Sequence, residues 1–89
     1  MDAGLKAKWI AALRSGEFKQ GVGAYQTGNE YCCLGVLCVV GGMPISALDR
    51  DDYNFVDSAV GHDRAVQLAS MNDSGATFSQ IADWLESQP

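Results

Sequence analysis

Basic residues are scarce in this 89-residue chain: six lysines and arginines stand against eleven acids, a net charge of −5. Phosphate-tracking contact with nucleic acid needs clustered Lys and Arg, so direct nucleic-acid binding is not expected as the main activity. No apolar run approaches the roughly 20 residues that span a bilayer. The opening residues, Met1-Asp2-Ala3-Gly4-Leu5-Lys6, lack the basic-then-apolar order of a signal peptide. The expectation is a cytosolic protein with no membrane contact. Histidine occurs once and there is no Cys-x-x-Cys pair, the usual chelating unit for zinc. With two prolines and 47% hydrophobic residues the composition is globular. One domain, 1–89, is expected; at this size it buries about 60–65% of its unfolded surface, and a homo-oligomer would bury more.

What the chain does have is an uncharged stretch, Tyr31-Cys32-Cys33-Leu34-Gly35-Val36-Leu37-Cys38-Val39-Val40, which holds all three cysteines. So apolar a run belongs at the centre of a core. Its length and its two leucines, with Gly41-Gly42 after it, predict a helix over 33–40 buried on every side. Residues 2–15 predict an amphipathic helix, because Leu5, Trp9, Ala12 and Leu13 share one face. Glycines at 16, 21, 23 and 28 then break the pattern. Residues 22–32 read as a hairpin turning at Thr27-Gly28-Asn29. Residues 43–56 are the least regular. A third helix is expected at 62–71, ended by Asn72-Asp73-Ser74-Gly75, and a fourth at 78–87, opened by the capping box Thr77-x-x-Gln80. The fold class is thus α+β: a small, compact, mainly helical domain of about four helices with a short β-hairpin.

Candidate chemistry is sparse. On a helix Cys33 and Cys38 diverge by about 140°; on a strand Cys32 and Cys38 lie roughly 20 Å apart. Neither spacing suits a metal, and no cofactor is expected. A Cys32–Cys33 disulfide would be strained. Apolar surroundings raise a thiol pKa, which argues against a cysteine nucleophile paired with His62. Asp49, Asp51 and Asp52 resemble half a calcium loop but lack its glycine and closing glutamate. They read as a solvated acidic loop and, with Asp57, as the surface a protein partner would meet. The charge is polarised: residues 49–89 carry eight acids against Arg50 and Arg64.

Two glycine-bearing polar loops remain as ligand-contacting candidates. One holds Lys19, Gln20, Gly21 and Gly23; the other holds Asn72, Asp73, Ser74 and Thr77 beside a helix N-terminus, whose N–H groups favour an anion. A signalling nucleotide would fit there, with positive charge from Arg14, Lys19 or Arg64.

The Tyr31–Val40 motif and the block Asn72-Asp73-Ser74-Gly75-x-Thr77-Phe78-x-x-Ile81-Ala82-Asp83-Trp84-Leu85-Glu86, with Trp9, Leu13-Arg14-Ser15-Gly16 and Gln20-Gly21-x-Gly23 upstream, resemble a group of small tailed-phage and prophage proteins of unknown function. In that group a longer, aromatic-rich insert separates the two blocks; here residues 43–61 are compact. The resemblance implies a phage setting and transfers no catalytic residue. It implies a non-enzymatic accessory protein that neutralises a host factor by binding, as anti-defence inhibitors do. A nucleotide-sequestering protein is the main alternative, with a cysteine enzyme and a virion or assembly role behind it.

Overall fold

The computed structural model describes residues 2–42 and 54–88. Helix α1 (Ala3–Ser15) opens where the Asp2 carboxylate accepts the Leu5 N–H at 2.7 Å. It closes at Gly16, whose φ of 78° is the left-handed conformation that ends helices. Helix α2 (Cys33–Val40) is the central post: every residue from Cys33 to Cys38 is buried. It packs against α1, against α3 (Asn54–Val60), against α4 (His62–Asp73) and against the adjoining strand. Helix α5 (Phe78–Ser87) lies against α1 and α4. Its capping box is complete, Thr77 Oγ1 accepting the Gln80 N–H while the Gln80 side chain accepts the Thr77 N–H.

Trp9 fastens α1 to this core. It is fully buried and donates its indole N–H to the Cys33 carbonyl at 2.8 Å. Outside the core, Arg14 joins α1 to α5 through Asp83 at 2.6 Å and through Glu86.

Three two-residue strands, β1 (Lys19–Gln20), β2 (Gln26–Thr27) and β3 (Glu30–Tyr31), form a sheet of order β1-β3-β2. β2 and β3 are the antiparallel hairpin, turning through Gly28 and Asn29. β1 runs parallel to β3, pairing Lys19 with Glu30 and Gln20 with Tyr31.

The α+β class and four of the helices match the sequence reading, with α4 two residues longer. Two features depart from it. The hairpin's first arm is only Gln26–Thr27, because residues 22–25 bend away as a loop, and Lys19–Gln20 adds a parallel strand. Helix α3 occupies part of the segment read as irregular; Val56, Ala59 and Val60, at i, i+3 and i+4, carry its inward face. The acidic stretch with Asp49, Asp51 and Asp52 lies outside the described residues.

The loop at residues 22–25 rests directly on α2. A Cβ added to Gly35 would sit 2.8 Å from the Tyr25 carbonyl carbon and closer still to its oxygen. Glycine is what lets the two backbones approach this closely.

Candidate binding surface

Two polar segments that are some 50 residues apart in sequence meet above the N-terminus of α2, and Asn72 joins them. Asn72 lies in the last turn of α4 and is 1% exposed. Its Oδ1 accepts the Cys33 N–H at 3.1 Å and one hydrogen of the Gln20 amide at 3.0 Å. Its Nδ2 donates to the Gly21 carbonyl at 2.8 Å and to the Asp73 carboxylate at 3.3 Å. A buried amide is costly unless satisfied, and this one is satisfied from three separate parts of the chain.

Gln20 does similar work one step out. Its Nε2 also donates to the Ala76 carbonyl at 2.7 Å, and its Oε1 accepts the Phe78 N–H at 3.1 Å. The amides of Thr77, Phe78 and Gln80 at the start of α5 are therefore bound by the protein's own side chains. Those N–H groups are not free for an external anion, and Gln20 and Thr77 act as caps.

The outer part of the surface is exposed. Gly23 donates its N–H to the Asp73 carboxylate at 3.1 Å, bridging the two loops. Gly21 donates to the Tyr31 carbonyl at 2.8 Å, and the Tyr25 carbonyl accepts the Cys32 N–H at 3.3 Å. The loop is thus pinned at 21, 23 and 25. Between the pins Val22 stands 63% exposed, one of two large hydrophobic side chains so exposed among the described residues. Ser74 and Asp73 are exposed beside it.

The cations do not gather here. Lys19 faces Glu30 at 3.6 Å across the β1–β3 pair, and Arg14 is held by Asp83 and Glu86. Arg64 lies eight residues before Asn72 on α4, about 12 Å along the helix. A phosphate between the two loops would meet the Asp73 carboxylate, while Lys19 and Arg14 are drawn to carboxylates of their own. Asp57 is also engaged, its carboxylate 3.3 Å from His62 Nδ1 across the α3–α4 junction and accepting that nitrogen's hydrogen in the Nδ1–H tautomer.

The cysteines lie behind this surface and serve packing and capping. Cys32 is the N-cap of α2, its sulfur accepting the Gly35 N–H at 3.4 Å. The Cys33 thiol donates to the Leu68 carbonyl at 3.6 Å. Burial raises the pKa of all three thiols, bringing Cys38 to about 11. For Cys32 the Gly35 N–H partly offsets that burial. Thiols so placed stay protonated near neutral pH and are poor nucleophiles.

Residues 1–41 match a family described as a domain of unknown function (DUF8296). The match runs from α1 through the sheet and α2 and stops before α4 and α5. It therefore covers Gln20, Gly21, Gly23 and the cysteine helix but not their partners Asn72 and Asp73. No curated protein and no solved structure matches the chain. Among the described residues no helix is long and apolar enough to cross a membrane, and no three His, Cys, Asp or Glu are grouped to hold a metal.

Proposed function

We propose that this protein is a non-enzymatic accessory protein of the tailed-phage type, which binds a host protein in the cytosol and neutralises it. The observation that carries this reading is the pinned loop. A large apolar side chain, Val22, is held out in solvent on backbone fixed by Gly21, Gly23 and Tyr25, with the fully satisfied Asn72 beneath it. An ordered loop gives up little further entropy on association, so its exposed apolar tip is suited to a protein contact. Asp73 and Ser74 form a polar rim beside that tip, the arrangement common to protein interfaces. The protonated, buried thiols speak against covalent chemistry, and the phage setting comes from the resemblance of the cysteine and Asn72–Glu86 motifs.

The test is affinity capture from lysate of the bacterial host with the wild-type chain and with Val22→Glu. The expected outcome is one partner in stoichiometric amount with the wild type, lost with Val22→Glu while circular dichroism is unchanged. Failure to recover a stoichiometric partner, or equal recovery by the variant, overturns the reading.

A further inference from the structure

Away from the loops, four helices converge on a small depression whose lining includes two cations. Lys6 of α1 and Arg64 of α4 stand at its rim with Trp84 of α5, over Val60, Leu68 and Leu85. Leu68 is fully buried and Leu85 is 3% exposed, so this floor is part of the core. The enclosed part has room for about one water, and the rest opens to solvent along the half-buried Trp84.

The charge here is unusual for this chain. Acids outnumber bases by eleven to six, yet among the described residues no acid lines the depression. Arg14 and Lys19 each pair with a carboxylate, whereas Lys6 and Arg64 form no ion pair among the described residues. Lys6 does donate to the Gln88 carbonyl at 2.7 Å, which fixes its ammonium at the rim and leaves two N–H donors. Two like charges gathered over an apolar floor do not help the fold; they lower the energy of an anion placed between them. Beside them the half-buried indole of Trp84 lines the depression, and an indole is suited to contact with an apolar or aromatic group.

We infer that this depression is a binding site for a small molecule joining a carboxylate or phosphate head to a flat apolar body. Lys6 and Arg64 hold the head and Trp84 carries the body. The site is separate from the Val22 loop, so it stands or falls independently of the protein-binding reading.

The two tryptophans make the test internally controlled, because the Trp9 indole is buried and hydrogen-bonded to Cys33 while Trp84 lines the site. In ¹⁵N–¹H spectra of the full chain, titration with adenosine 5′-monophosphate to about 10 mM should move the Trp84 indole signal saturably. The Trp9 signal should stay in place. Lys6→Gln and Arg64→Gln should each weaken binding by about tenfold, the scale of one charge-assisted hydrogen bond. Adenosine, which lacks the anion, should move Trp84 far less. The inference is overturned by absence of a saturable Trp84 shift, by an equal response to adenosine, or by unchanged affinity in both glutamine variants with their spectra otherwise intact.

Discussion

Replacing Asn72 by alanine is the sharpest test of the cross-brace. The substitution removes four hydrogen bonds, at 2.8, 3.0, 3.1 and 3.3 Å, from a side chain that is 1% exposed. The Cys33 N–H suffers most. It lies in the first turn of α2, where no intrahelical carbonyl is available, and it is buried. An unsatisfied buried donor costs about 1–3 kcal/mol, and each net hydrogen bond lost adds about 1 kcal/mol. Gly21 and Gln20 are only partly buried and recover some of their loss from water. The expected destabilisation is therefore about 3–5 kcal/mol, a large share of the 5–15 kcal/mol typical of a folded domain. Urea denaturation followed by circular dichroism measures it.

Asn72→Asp separates the brace from mere volume. The carboxylate keeps the acceptor for Cys33 but sets a negative charge against the Gly21 carbonyl and Asp73. Burial and that neighbouring charge raise its pKa in the folded state above the ordinary value of about 3.9. A raised folded pKa means the variant is most stable at low pH and loses stability as pH rises through the folded value. Relative to wild type, Asn72→Asp should thus be less damaging at about pH 4 than at about pH 7. A cost below about 1 kcal/mol for Asn72→Ala, or no pH dependence for Asn72→Asp, refutes the cross-brace.

Three further outcomes follow from the same geometry. Gly35→Ala should cost more than about 3 kcal/mol or release the 22–25 loop, since its Cβ meets Tyr25 backbone rather than a movable side chain; thermal denaturation and amide chemical shifts check it. Alkaline stability should fall as pH rises from the unfolded thiol value of about 8.5 towards about 11, because folded Cys38 keeps a proton that the unfolded chain gives up. Cys38 accounts for up to about 3 kcal/mol of that loss, and Cys38→Ala should make the profile shallower without abolishing it, because Cys32 and Cys33 also hold their protons in the fold. A thiol reagent at neutral pH should leave Cys33 and Cys38, both 0% exposed, unlabelled until denaturant is added.

The parts of the fold legible in the sequence are those with local signals. The capping box placed the start of α5, and Gly41-Gly42 placed the end of α2. β1 has no such mark, since two residues cannot show a period and parallel pairing with β3 is a long-range event. α3 is short, and only Val56, Ala59 and Val60 hinted at it. In the polar loops, residue type and glycine content were readable, and the structure does bring Gln20, Gly21 and Gly23 against Asn72 and Asp73. Sequence could not show that Asn72 and Gln20 face inward and bind one another, because a side chain's partners depend on contacts across some 50 residues. The same limit hid the meeting of Lys6, Arg64 and Trp84 from three helices.

Cys33 has a role that its thiol does not suggest. Its carbonyl, amide and sulfur reach Trp9, Asn72 and Leu68, which are 24, 39 and 35 residues away. That amide is released when the Asn72 brace in the last turn of α4 opens, so its exchange with solvent deuterium should report on the docking of that turn against α2. The protection of one peptide group then measures the free energy of opening that brace. A ligand or partner that binds only with the brace closed would register there as slower exchange.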